Sequence, residues 1–541
     1  MKKLVNQILP IEKWKVAYAI LFAIMCILDM HIVNEQVAHS TVLTTYLTSF
    51  GVMDLPIFVL IMIAAYLVIV FCGRLLQNIA GFFISDKEKK GNSHICFMVI
   101  FAVIIIAWIP YFMSCWPGGI YNDTLDSIHI ALGEQQMDNQ NTVLYALFWR
   151  LIFSIGNVVD QGAYGGLKLM TIVQAVYIAA TAACFFTWLR KKGVRIGIII
   201  IFTGLIAIMP VFPFYAISLW KDTLFGVTVF LYSWLMLLMV ADINRENGSL
   251  SLVRTISYII LSLLVAFGRN NGIYIVIVLS IVLTVLYLKK GHSSDVKKIL
   301  TASVAVILAS IIIQIPVYNA CGVIKSKPVE KFGIPLQQVA YIISAGGNMS
   351  EEEMLVIDSV LPLDGWINLY NPTVVDPIKF DPLFNSGYFN THTGDFVKAY
   401  LGLVIKNPGL AFKGYLLATM GFWDVWKTSS SAYICNVHCY NCEFFMSDYF
   451  NQYTGLTLTD IVGPRWYISS GMLIWIMLLA GFAVLQKKNY KMLIPILPTV
   501  VLWGTLLIAT PLAFSFRYVF PMLLCIPIYV ICGCKQDKEK E

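Results

Sequence analysis

Charge is scarce in this chain. Of its 541 residues, 13% are charged and 58% are hydrophobic, with a mean hydropathy of +0.75. A soluble protein of this length keeps far more charge, so the composition excludes a pair of soluble domains. Neither an internal repeat nor a low-complexity tract is evident. The lack of repeated halves argues against a transporter built by duplication. The start, MKKLVNQILPIEKWKVAYAIL, has a basic head, but no small-residue cleavage site follows its apolar run; the expectation is a retained first span rather than a signal peptide. Net charge is +7. This is not a nucleic-acid signal, because the bases gather in short loops between apolar runs.

Those runs are what the chain has in abundance. They fall near 14–33, 55–73, 95–115, 164–187, 196–213, 223–241, 252–268, 272–288, 299–316, 466–485, 491–509 and 515–533. Each approaches the roughly 20 residues that cross a bilayer. Alternate connections carry the bases, from Lys2, Lys3, Lys13 and Lys15 through Arg190, Lys191, Lys192 and Arg195 to Lys535, Lys538 and Lys540. The other connections are nearly free of them. The positive-inside rule then places both termini in the cytoplasm. The fold expected is an all-α polytopic membrane protein of about 12 transmembrane helices, with a mixed extracytoplasmic region before the last three spans. The chain divides into 1–94, two helices and a cytoplasmic loop; 95–316, a transmembrane core; 317–465, the extracytoplasmic region; and 466–541, the last spans and tail.

One outward loop, Trp116 to Asn141, contains no Lys or Arg but carries Asn122, Asp123, Asp126, Glu134, Asp138 and Asn141. Leu125, Ile128, Ala131 and Leu132 repeat at helical spacing, as do Leu144, Leu147, Phe148, Leu151, Ile152 and Ile155 further on. The loop thus reads as two amphipathic helices lying in the interface. In the 317–465 region, Ser350 followed by Glu351, Glu352 and Glu353 predicts a helix start. Asp395 to Trp426 reads as an interfacial helix pair broken at Asn407-Pro408-Gly409.

The chemistry-bearing candidates lie on this outward face. Asp123 and Asp126, at i and i+3, share one side of a starting helix. Asp123 could simply cap that helix, whereas Asp126 is one turn inside it and could act as a general base. Lys221, Asp222, Arg269 and Arg517, with Tyr518 and Arg150, place outward charges far apart in sequence. Snorkelling is one reason for such cations. Convergence on a phosphate is the other, since Arg forks match its oxygens and Lys supplies a point charge. Lys221 and Asp222 could instead pair with each other. The cluster Cys435, His438, Cys439 and Cys442 has metal-like spacing, but outside the cytoplasm a disulfide is the commoner fate, with Cys321 a candidate fourth thiol. His129 and His392 read as interfacial polar residues. Tyr370-Asn371-Pro372 and Asp376-Pro377-Ile378-Lys379 read as turns that could edge an acceptor groove.

Taken together, these residues resemble the GT-C superfamily of membrane glycosyltransferases, and within it an uncharacterised bacterial multi-spanning group. Pro117-Gly118-Gly119 to Asp126 looks like the acidic-loop segment of that superfamily. Lys221-Asp222 resembles its second-loop charged pair, and Arg517-Tyr518 with Pro521 resembles an arginine motif near the last span. The resemblance covers roughly 95–535. It implies inverting transfer of a sugar from a polyprenyl-phosphate carrier to an extracytoplasmic glycan, lipid or protein in the cell envelope. Asp126 or Asp123 would be the base, with the phosphate on Lys221, Arg269 and Arg517. Two extra spans precede the core, a His-Pro element is missing from Asp138 to Thr142, and no Asp-x-Asp pair is present, which leaves a divalent metal open. The rival readings are a lipid-linked glycan flippase, which needs ionisable residues within its spans, and a non-catalytic cell-envelope assembly protein. Most span centres here are clean, with Asp29 among the nearest exceptions.

Overall fold

The computed structural model describes residues 12–34, 45–83, 92–160, 162–243, 249–289, 291, 293–427, 444–458, 468–509 and 512–534. It is mostly helical; the named strands among these residues are one short antiparallel pair, β1 (Ile32–Asn34) and β2 (Thr45–Leu47). The helices used below are α1 (Lys13–Met30), α2 (Asp54–Phe83), α3 (Ser93–Ser114), α4 (Asn122–Leu132), α5 (Val143–Val159), α6 (Ala163–Lys191), α7 (Ile196–Ile208), α8 (Val211–Ile217) and α9 (Lys221–Ile243). They continue as α10 (Leu252–Gly268), α11 (Gly272–Lys289), α12 (Ser293–Ile312), α13 (Gly333–Ser344), α14 (Glu351–Val360), α15 (Thr393–Lys406), α16 (Pro408–Thr419), α17 (Ser470–Gln486), α18 (Leu497–Ile508), α19 (Phe520–Leu524) and α20 (Ile526–Cys534).

Six helices among the described residues are long and apolar enough to cross a membrane: Asp54–Phe71, Ser93–Ser114, Ala163–Lys191, Lys221–Ile243, Gly272–Lys289 and Ser294–Ala320. The α7–α8 pair, bent by 55°, makes a seventh if it counts as one span. Helices overlie every one of the twelve expected stretches, but α10, α17 and α18 are shorter, and the last stretch is cut into α19 and α20 by Pro521 and Pro527. Proline removes an intrahelical donor and crowds the preceding turn, which accounts for the break.

The main core joins α3, α6, α9, α10, α11, α17 and α20. Buried hydroxyls tie its helices: Tyr258 OH lies 2.9 Å from both Ser280 Oγ and Ser303 Oγ, and Tyr232 OH lies 3.0 Å from Ser262 Oγ. Such interhelical bonds replace the hydrophobic drive that lipid removes. The two amphipathic helices of the 116–163 loop are present as α4 and α5, packed through Ile128, Tyr145, Trp149 and Ile152 onto Leu167 and Met170 of α6. At the α5–α6 contact a Cβ on Gly156 would meet Gly165 backbone at 2.6 Å, so only a glycine pair permits this approach.

The 325–419 lobe has its own core, centred on Leu336, Ile357, Trp366, Phe389, Phe396 and Leu403. This region was expected to be mixed; among its described residues it is helical, joined by turns and isolated bridges. Ser350 and Glu353 form a complete capping box at the start of α14. The expected break at Asn407 separates α15 from α16.

Candidate functional site

The site is built on the strip 215–219, where the end of α8 passes into extended chain at Ser218. Gln174 of α6 donates from Nε2 to the carbonyls of Tyr215 (2.9 Å), Ala216 (3.1 Å) and Ser218 (2.7 Å). Leu219 O accepts from Thr124 Oγ1 of α4 and from Tyr145 OH of α5, both at 2.7 Å. The Pro-Gly-Gly turn runs alongside: Gly119 N donates to Ile217 O (2.8 Å) and Leu219 N donates to Gly119 O (2.9 Å). Gly118 has φ +141°, and a Cβ there would meet Thr171 Oγ1 at 2.4 Å, so this closeness excludes any side chain. The acidic helix α4 and the start of α9 are therefore held by the same strip.

On that frame the distant charges converge. Arg517 Nη1 lies 2.9 Å from Asp123 Oδ2, and its Nε lies 3.7 Å from Asp222 Oδ2. Arg269, in the α10–α11 hairpin, places Nη1 3.1 Å from Asp222 Oδ1. Tyr518 OH accepts from Arg517 Nη2 (3.2 Å), and both guanidinium groups lie over the Tyr518 ring, at 4.6 Å for Arg269 and 5.1 Å for Arg517. Trp220 faces Arg517 at 5.7 Å and stacks on Tyr121 at 4.0 Å. Lys221 does not pair with Asp222 by contact. Its Nζ donates to Asn141 Oδ1 (2.9 Å) and Gln140 O (3.3 Å), and Asn141 Nδ2 in turn donates to Asp126 Oδ2 (3.4 Å). Asp123, Asp126, Lys221, Asp222, Arg269, Arg517 and Tyr518 thus share one cluster. Arg150 stands apart, donating to Ala131 O at the end of α4. Asp123 makes no side-chain cap of α4, whose cap position is Tyr121.

The two loop carboxylates differ. Burial works against ionisation of Asp123, but the charges of Arg517 and then Lys221 outweigh it and hold the carboxyl below the usual range. Asp126 is exposed; partial burial of its carboxyl and the neighbouring Asp123 and Asp138 carboxylates push it above that range, against the Asn141 amide. Several polar atoms at the cluster's edge, Trp220 Nε1 and Asn271 Oδ1 among them, are buried without a hydrogen-bond partner. Among the described residues, no group of three or more His, Cys, Asp and Glu could hold a metal ion. The acids instead meet cations, so this donor set does not fit a divalent metal.

Asn141 is the linking residue that sequence reasoning passed over. Its amide near Asp126 was visible, but its reach to Lys221, 80 residues away, was not. The 370–379 turns lie against the same face: Ala513 N donates to Thr373 O (2.9 Å), and Val374 bridges Leu512. Lys379 there is engaged by Glu330 at 2.6 Å. His129 pairs with Glu134, and His392 stacks on Tyr388. Cys435, His438, Cys439 and Cys442 lie outside the described residues; Cys321 is an exposed free thiol. An apolar cavity of about 190 Å³ lies beside the cluster, lined by Phe212, Phe230 and Leu523; Phe520, next in line, stacks on Tyr215 at 4.4 Å.

A second charged centre joins α1 to the segment before α17. Asp424 is fully buried; its Oδ1 accepts from the backbone N–H of Trp426 (2.8 Å) and Lys427 (3.0 Å). Asp29 faces it and pairs with Lys427. Burial first, then Asp29, pushes Asp424 up to about 6.

The long apolar helices fit a multi-pass membrane protein. The chain belongs to a family of unknown function (DUF6020), whose model matches residues 133–541. The match takes in Asn141, Lys221, Asp222, Arg269 and Arg517 and starts beyond Asp123 and Asp126. No curated protein and no solved structure matched the chain.

Proposed function

We propose that the cluster is the active site of a GT-C-type membrane glycosyltransferase, moving a sugar from a polyprenyl-phosphate carrier to an extracytoplasmic acceptor with inversion. In this reading the chain has twelve spans, both termini are cytoplasmic, and the cleft opens on the extracytoplasmic side of the cell membrane. The observation that carries it is the gathering, in one cluster, of an exposed carboxylate, Asp126, linked through Asn141 to Lys221, with Arg269 and Arg517 from separate loops.

Asp126 takes the proton of the acceptor hydroxyl or amide as that atom attacks the sugar's anomeric carbon. The bond to the carrier's phosphate breaks with its electron pair, and the resulting phosphate charge falls on Arg517, Arg269 and Lys221. Fixed cations of this kind stabilise developing charge at no reorganisation cost. Asp123 holds Arg517 in place rather than acting as the base. The rings of Trp220, Tyr121 and Tyr518 offer faces for the sugar, and the apolar cavity by Phe212 offers room for the first isoprene units. No step is routed through a metal.

A different reading, a non-catalytic cell-envelope assembly protein, is favoured by one observation: Asp123, Asp222, Arg269 and Arg517 already neutralise one another. Reconstitution with a radiolabelled polyprenyl-phosphate sugar separates the two. Label should move to an acceptor with the native chain and fall by about 10²–10⁴ in Asp126→Asn, with folding unchanged. Equal transfer by native and variant chains rules out Asp126 as base; no transfer by either favours the assembly role, and carrier crossing the bilayer without transfer favours a flippase.

A further inference from the structure

We infer that the groove between α3, α6 and α7 is a binding site for one anionic phospholipid, in the leaflet opposite the charged cluster. The site owes nothing to the glycosyl-transfer reading. Gln174, which holds the 215–218 carbonyls beside the cluster, and Arg190, in the last turn of α6, lie about 24 Å apart along the axis at 1.5 Å per residue. At that last turn a groove of about 530 Å³ opens, with Arg190 and Lys191 at its mouth. The starts of α3 and α7, at Ser93 and Ile196, reach the same mouth. Two helix N-termini and two cations line one mouth: the positive dipole ends of α3 and α7 lie beside the side-chain charges, with the Asn92 side chain capping α3 at His94 N (3.3 Å) and Arg190 Nη1 donating to Val194 O (3.0 Å).

Deeper features match the rest of a lipid. One helical turn further in lies Thr187, with Thr203 across the groove; both are more than nine-tenths buried. Neither hydroxyl has a hydrogen-bond partner among the described residues, although a helical threonine ordinarily satisfies itself on the carbonyl four residues back. An acyl ester hangs one turn below a phosphate in a phospholipid and is rich in acceptors. The rest of the lining is mostly apolar, with Val99, Val103 and Ile200 along the path that an acyl chain would take. Phosphate, ester and chain thus find cation, hydroxyl and hydrocarbon within one groove. A zwitterionic lipid would bring its own ammonium to Arg190 and Lys191, so the preferred headgroup is anionic.

Native mass spectrometry of the purified full chain in detergent tests this, with phosphatidylglycerol and phosphatidylcholine of identical chains added in parallel. Phosphatidylglycerol should be retained as a single bound copy over phosphatidylcholine. Arg190→Ala with Lys191→Ala should weaken that retention by about tenfold, the worth of one charge-assisted bond. Ile200→Trp, which fills the groove and leaves every charge in place, should abolish it. Thr187→Val with Thr203→Val keeps the shape and suits a membrane helix, so it keeps the test open if the charge variant misfolds; retention should drop there as well. Equal retention of the two lipids, or phosphatidylglycerol retention unchanged in the groove-filling or threonine variant, overturns the site.

Discussion

Two charged centres among the described residues balance their acids differently. Around Arg517, three cations face Asp123, Asp126 and Asp222, and Asp123 stays ionised in spite of its burial. At the α1–α17 junction, Lys427 is the one cation seen among the described residues to contact Asp29 and Asp424, and Asp424 is lifted to about 6. The difference teaches that burial by itself does not set the state of a carboxylate. The count of cations within reach decides it, since desolvation and like charge push one way and a guanidinium pulls the other. The first centre is a place where a new negative charge is welcome. The second has no room for one and behaves as a proton store.

Removing a cation from the first centre should convert it into the second. Arg517→Met leaves Asp123 without its ion-pair partner; because Asp123 is 40% exposed and Arg269 still faces Asp222, the variant should lose only about 1 kcal/mol in denaturant unfolding. Transfer should fall by about 10²–10³, as for a lost oxyanion donor. A variant with native transfer would show that the cleft is not a phosphate site.

Neutralising the second centre should do the reverse. The folded-state pKa of Asp424 lies above its unfolded value, so the folded chain holds the extra proton between about pH 4 and pH 6. Its contribution to stability is therefore present below that window and is lost as pH rises through it, up to about 3 kcal/mol in all. Asp424→Asn keeps both backbone hydrogen bonds and should raise thermal stability at pH 7.5 while changing little at pH 4. Stabilisation that is equal at both values would mean that Asp424 is already ionised.

Smaller effects sharpen the contrast. Ser350→Ala removes the α14 cap and should cost about 1 kcal/mol in the lobe, with transfer and the Asp424 pH response both untouched. A change in either would mean that the centres depend on the lobe's stability rather than on their own charges. Asp138→Asn keeps the turn's acceptor but removes one of the two carboxylates that lift Asp126. The acid limb of the pH–rate profile should then move to lower pH; an unmoved limb would separate that limb from Asp126.

What could be read in the sequence was whatever depends on neighbours in the chain. The period of Leu125 to Leu132 gave α4, the Ser350–Glu353 spacing gave the cap, and Asn407-Pro408-Gly409 gave the break between α15 and α16. Outward charges on Lys221, Arg269 and Arg517 could be picked out because cations there run against the orientation bias. Their partners could not. Asp123 meets Arg517 across 394 positions, and Asp29 meets Lys427 across 398. Pairing at that range is decided by helix packing, which leaves no local trace. The lobe was read as mixed rather than helical for a related reason: its other helices are short, and its Pro, Asn and Gly content mimics irregular chain. The shortness of the last spans was hidden because apolarity continues through Pro521 and Pro527 although the helix does not.

One carbonyl has a consequence for motion. Because Leu219 O receives hydroxyls from α4 and α5 together, the acidic wall and the Lys221 wall are riveted into a single jaw. Admission of anything to the cluster then falls to the opposing jaw, the 512–518 segment, which is followed by short, proline-broken helices. Arg517 would swing away with that jaw and return to Asp123 on closing, so the latch of the gate and the charge that meets the guest are the same side chain.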